Sequence, residues 1–188
     1  MKTYSQIGQD TFVLEQTNNK KNGTFVDIGG GHPSHLNNTF ILEKEYLWTG
    51  ISLDIGPPHA HLCYEMTKES YVDFWDSKRS TPIVVSDALE TDFSLLFKEH
   101  SLPTYIDYLS IDLEPPLVTY EALKRVPFDE YKFKVITFET DFYREESTQG
   151  PSRELLKSHG YKLVLSIKNQ EDLKVEMKSK GEWVKAGF

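Results

Sequence analysis

Acids recur at the ends of apolar segments in this chain: Asp27 after Thr24-Phe25-Val26, Asp54 after Ile51-Ser52-Leu53, Asp87 after Ile83 to Ser86, Asp112 after Tyr105 to Ile111, and Glu139 after Phe133 to Phe138, with Glu114 two residues beyond Asp112. A carboxylate accepts hydrogen bonds from ammonium, amine and hydroxyl groups, and it can take a proton from an attacking hydroxyl. Several carboxylates in one crevice raise each other's pKa or hold a divalent cation such as Mg²⁺ through oxygen ligands. Directly behind Asp27 stand Ile28 and three glycines, Gly29-Gly30-Gly31. Glycine permits positive φ and lets a ligand approach the backbone. A carboxylate ahead of such a turn repels a pyrophosphate and favours a cofactor that carries an ammonium.

Asp54 lies 23 residues beyond Gly31, near the spacing at which a carboxylate grips the hydroxyls of a ribose. Asp87-Ala88 fits an adenine edge, the acid accepting from the exocyclic amine and the alanine leaving room for the ring. A ligand with an ammonium, a ribose and an adenine is S-adenosylmethionine. The dinucleotide alternative, a nicotinamide-dependent oxidoreductase, wants a third glycine where this chain has Ser34. For a proton acceptor the sequence offers Asp112, Glu114, Glu139 with Asp141, and His32 or His35. His32, His35, His59 and His61 fall into two loop pairs without the fixed spacing of a zinc site.

Such groups meet only if the elements around them bring the segment ends together. Ser5 to Thr17 and Asn38 to Leu47 carry apolar residues at helical spacing, as does Asp92 to His100 with Phe93, Leu96 and Phe97 inward. His59 to Phe74 is expected to be helical or irregular, with Tyr64, Tyr71, Phe74 and Trp75 in the core. Pro151-Ser152-Arg153-Glu154 opens a helix with Ser152 as N-cap, and Gly160 closes it. Strands are expected at Thr24 to Ile28, Trp48 to Ile55, Ile83 to Ser86, Tyr105 to Asp112, Phe133 to Glu139 and Tyr161 to Ile167. Either Leu173 to Met177 or Trp183 to Lys185 supplies a seventh. This alternation predicts an α/β fold, a three-layer, doubly wound, mainly parallel seven-stranded sheet, in which the carboxyl ends of neighbouring strands converge.

The totals set further bounds. At 188 residues the chain suits a single domain, 1–188, and 38% apolar residues suffice for a core. A formal charge of −8 argues against nucleic acid as partner, and the interleaved Lys and Glu after Lys168 read as a solvated face. No apolar run reaches the roughly 20 residues of a membrane span, and the N-terminus shows no signal segment. A lone cysteine, Cys63, fits a reducing compartment. These features predict a cytoplasmic protein without membrane partners; they leave its oligomeric state open.

The chain resembles the FkbM-type methyltransferases, class I enzymes that depend on S-adenosylmethionine. The likeness runs from Ser5-Gln6-Ile7-Gly8-Gln9-Asp10 through Gly23 to Gly29, Asn38-Thr39, Leu42-Glu43 and Trp48 to Ile51, and on to Tyr108 to Glu114, with a late Gly160-Tyr161-Lys162-Leu163. It implies a Rossmann-like class I methyltransferase fold, a cofactor role for Asp27, Gly29, Gly31, Asp54 and Asp87, beside the Gly30 and Ala88 read from the turn and the adenine edge, and a covering role for Gln6 and Asp10. It also implies methylation of a hydroxyl on a sugar or small natural product, so that the partner is a small-molecule or glycan acceptor. Two departures stand out: Gly30-Gly31-His32-Pro33 where the family has Ala-Asn and a later Gly, and Pro115-Pro116 after Glu114. The second motivates a rival expectation, cofactor binding without turnover.

Overall fold

The structure is a computed structural model that describes residues 2–140, 148–166 and 181–185. Its elements run α1 (Gln9–Gln16), β1 (Thr24–Ile28), α2 (Phe40–Tyr46), β2 (Thr49–Asp54), α3 (Lys68–Asp76), β3 (Ile83–Val85), α4 (Phe93–Glu99), β4 (Tyr105–Ile111), α5 (Pro116–Arg125), β5 (Lys132–Phe138), α6 (Gln149–Ser158), β6 (Tyr161–Leu165) and β7 (Gly181–Lys185). Among the described residues no helix is long and apolar enough to cross a membrane.

The strands form one sheet in the order β3-β2-β1-β4-β5-β7-β6. The parallel ladder spans five strands, β3 to β5, and not the larger number expected. The chain reverses direction between β6 and β7, so β7 lies antiparallel to both of its neighbours. Register aligns Phe25 with Tyr108 and Tyr108 with Val135, and Val26 with Leu109 and Leu109 with Ile136. Because strand side chains alternate between faces, the first row packs with Phe12, Val13, Leu14, Ile41 and Leu42 of α1 and α2. The second packs with Phe93, Phe97, Ala122, Leu123 and Leu156 of α4, α5 and α6. The result is the doubly wound three-layer arrangement, with the strand ends exposed between the layers.

Local chemistry explains the boundaries. Thr67 and Ser70 cap α3 reciprocally, and Asp92 accepts the Leu95 N–H at the start of α4. Helix α5 has no counterpart among the expected elements. The structure places Pro116 in the first turn, where its fixed φ suits a helix and its missing N–H costs nothing. In α6, Thr148 and not Ser152 occupies the N-cap position, and the Ser152 hydroxyl donates back to the Gln149 carbonyl within the first turn. Gly160 follows α6 at φ +84°, as its C-terminal role requires. Tyr71 and Trp75 are buried, Phe74 packs partly against them, and Tyr64 is 60% exposed, so it does not belong to the core. Cys63 is buried beside Tyr71 and Trp75. The expected alternative strand at Leu173 to Met177, and Asp141, lie outside the described residues.

Candidate functional site

The ends of β1, β2, β4 and β5 meet below a cavity of about 410 Å³, with Asp27, Asp54, Asp112 and Glu139 all in its lining. The glycine turn forms part of the same wall. Its three amides are already used: Gly29 and Gly30 donate to the Leu53 carbonyl at 2.8 and 3.1 Å, and Gly31 donates to Asp54 Oδ2 at 2.8 Å. No row of outward N–H groups remains for a pyrophosphate, which a dinucleotide site needs. The glycines serve close approach instead. A Cβ on Gly29, at φ +94°, would collide with the Asp112 carbonyl oxygen, so the missing side chain lets the end of β4 close against the turn.

Each acid is held differently. Asp54 is 6% exposed and accepts from Gly31 through one oxygen and from Gly56, at 2.7 Å, through the other. Burial lifts its carboxyl above the ordinary range although both amides pull the other way. A carboxylate offers about four acceptor positions, so two bonds leave it able to accept from a diol. Asp27 is 1% exposed; burial pushes its carboxyl up to about 6, against the pull of Arg79 and hydrogen bonds from Thr39 and Ser110. Asn38 Nδ2 donates to Ser110 Oγ at 3.0 Å and reaches Asp112 Oδ2 at 3.4 Å. Asp27 and Asp112 are thus tied through Ser110 and Asn38. A cation brought into this cavity offsets the burial cost of Asp27 and of Asp54 at once.

The backbones of Asp112 and Glu139 are fixed by N–H bonds to Ile28 and Ile111 at 2.9 and 3.1 Å. Both side chains line the cavity, and so does the more exposed Glu114. His32 lines it too, but Nδ1 accepts from the Ser34 and His35 N–H groups at 3.2 and 3.0 Å. The proton of the neutral ring therefore sits on Nε2, which makes the opposite edge a donor and not a base. Burial, first, and then the neighbouring basic side chains His35, His61 and Lys78 hold its pKa down. Of the two roles expected for His32, a substrate-side polar group or a base, the donor edge suits the first.

Gln6 lines the cavity from the N-terminal segment. Asp10 does not: fully buried, it gathers Thr3, Tyr4, Ser5 and Thr11 onto its two oxygens and so shapes the segment that carries Gln6. Asp87 and Ala88 also lie outside the lining. Asp87 turns back to accept the Leu89 N–H at 2.8 Å, and Ala88 is packed in the core at 4% exposure. Ile55, directly after Asp54, stands in the lining instead at 40% exposure. Among the described residues no group of three or more His, Cys, Asp or Glu is arranged to hold a metal ion.

Sequence reasoning missed what supports the turn. Arg79, its side chain wholly buried, donates to Glu43 Oε2 at 2.6 Å, to the Pro33 carbonyl and Asn37 Oδ1 at 3.1 Å each, and to Thr39 Oγ1 at 3.0 Å. Asn37 in turn donates to the Gly30 and His32 carbonyls, and Thr39 donates to Asp27 Oδ2 at 3.0 Å. One guanidinium thereby sets both the glycine loop and Asp27. Its partners lie 36 to 46 residues away in sequence, and Arg79 itself stands in the polar stretch Asp76 to Thr81, so no local pattern reveals it.

No protein-family model matches the sequence, and a search of curated proteins returns no match. Solved structures do resemble the fold. A putative rRNA methylase from Clostridium thermocellum aligns at TM-score 0.50 and 11% identity, over 87% of this chain and 87% of that one. A precorrin-6y C5,15-methyltransferase from Geobacter metallireducens aligns at TM-score 0.49 and 16% identity, over 93% of this chain and 85% of that one. At these identities the likeness is one of fold: the chain has an α/β, Rossmann-like architecture.

Proposed function

We propose that this chain is an S-adenosylmethionine-dependent methyltransferase that methylates a hydroxyl of a sugar or small natural product. The observation that carries the reading is the convergence of Asp27, Asp54 and Asp112 on one cavity whose glycine amides are spent within the protein. That combination suits a ligand with a positive charge and a diol and disfavours a nicotinamide dinucleotide. The hydroxyl acceptor rests on the resemblance to FkbM-type enzymes, and the single cysteine, buried and reduced in this reading, fits a cytoplasmic setting.

The donor set fits the cofactor. Asp54 would accept from its ribose hydroxyls, Asp27 and the glycine turn would hold its ammonium, Ile55 would offer an apolar surface to its adenine, and Gln6 would cover it. When bound, it supplies a methyl group on a positively charged sulfur, open to in-line attack. The protein's share is alignment, worth several kcal/mol, and removal of the hydroxyl proton by Asp112 or Glu139, worth about 10²- to 10⁴-fold. Incubation with isotope-labelled cofactor and a panel of sugars and extracted metabolites, read by mass spectrometry, tests this: a labelled O-methyl product is expected. Cofactor binding with no labelled product from any acceptor would favour the second reading, a non-catalytic binding protein, which Pro115-Pro116 after Glu114 motivates.

A further inference from the structure

The cavity is not uniformly acidic. Its floor carries Asp27, Asp54, Asp112 and Glu139, whereas one wall is built from the loops after β1 and β2 and presents His32, His35, His59 and His61. The four histidines divide. His59 bears on Asp54, so it belongs to the acidic side. The other three stand together: the His35 and His61 rings are parallel within 9° at 6.3 Å between centroids, and His32 meets His35 edge-on at 5.9 Å. His32 also meets Phe74 edge-on at 5.2 Å, and Lys78 Nζ lies over the same Phe74 ring at 5.9 Å. The charged groups bearing on His32 are His35, His61 and Lys78, all basic, in a protein of net charge −8. With Nδ1 occupied by two backbone amides, His32 keeps its N–H on Nε2 as a donor. This corner offers hydrogen-bond donors and positive charge, and such a corner recognises an anion.

We propose that His32, His35 and His61 form a subsite for a carboxylate or phosphate group of the ligand that enters this cavity, with Lys78, outside the lining, adding positive charge behind His32. The proposal builds on the function given above and adds the chemistry of the second half of the site. A carboxylate could come from the cofactor's amino-acid end and a phosphate or carboxylate from the acceptor; both present the same oxygens. Neutral imidazoles give one donor each, and an approaching anion favours the second proton.

The test uses inorganic phosphate as probe, with histidine ring signals followed by NMR at constant ionic strength. The signals of His32, His35 and His61 are expected to move together and saturate, with His59 unaffected. His35→Ala/His61→Ala, both exposed positions that leave the fold intact, is expected to weaken phosphate binding about tenfold or more. S-adenosylhomocysteine and its decarboxylated analogue then identify the source. If the first displaces phosphate and the second does not, the subsite takes the cofactor's carboxylate; if phosphate binds alongside both, it takes the acceptor. No saturable shift, or equal phosphate binding by the double variant, overturns the subsite. Failure of the intact protein to bind either nucleoside, with the phosphate response present, counts against the methyltransferase reading and leaves the subsite standing.

Discussion

Replacing Asp27 with asparagine is expected to stabilise the empty protein at alkaline pH while removing its ligand binding. Asp27 has its carboxyl raised from 3.8 to about 6 by burial. Because the folded pKa lies above the unfolded one, the group's contribution to stability is fully present below pH 3.8 and is lost as pH rises through about 6. The separation corresponds to about 3 kcal/mol at 1.36 kcal/mol per unit, of which about 2 kcal/mol falls between pH about 4.5 and about 8. The amide of Asp27→Asn does not titrate. It also accepts less strongly than a carboxylate from Thr39 and Ser110, an offset of about 1–2 kcal/mol at every pH. The diagnostic quantity is therefore the change with pH in the difference between variant and wild type, in which all other titrations cancel. Urea unfolding across that range should show Asp27→Asn gaining about 2 kcal/mol on the wild type as pH rises. A difference that stays flat, or that moves against the variant, would refute the assignment of Asp27 as a buried charge held ready for a cation.

Three further outcomes are expected. Arg79→Met leaves Glu43 buried without its partner and should cost about 3–5 kcal/mol of unfolding free energy, most of it recovered in Arg79→Met/Glu43→Met; equal losses in the single and double variants would show that the ion pair is not the cause. Gly29→Ala drives a methyl into the Asp112 carbonyl oxygen at φ +94°, and thermal unfolding should show a loss of at least about 3 kcal/mol or no folded protein. Once an acceptor is known, Asp112→Asn or Glu139→Gln should lower kcat about 10²- to 10⁴-fold, the Glu139 variant with the cofactor affinity kept, whereas His32→Ala should leave the acid limb of the pH–rate profile in place, since its Nδ1 is already bonded.

The strand ends and the glycine turn were legible because each is written locally: an apolar run, an acid, then residues that permit positive φ. Their convergence followed from strand order, which the alternation of strands and helices constrains. Asp87 shows where this logic stops. It stands at a strand end like the others, but the short β3 and a turn at Leu89 direct its carboxylate back onto its own backbone, and periodicity does not report where a side chain is used. Helix α5 is absent from the expected elements, although Pro116 is a residue type that starts a helix as readily as it breaks one. The glycines were correctly placed but for an incomplete reason: Gly29 is there for the Asp112 carbonyl as much as for any ligand. Arg79 left no local trace, because its acceptors come from α2, the glycine loop and the approach to β3, and only the folded chain gathers them.

Calorimetric titration with S-adenosylhomocysteine, on the intact protein and on Asp54→Ala, bears most directly on the central claim. Saturable one-site binding by the intact protein, weakened about tenfold or more in the variant and absent with NADH, is the expected result. No heat of binding from the intact protein up to millimolar ligand, or tighter binding of NADH, would contradict it.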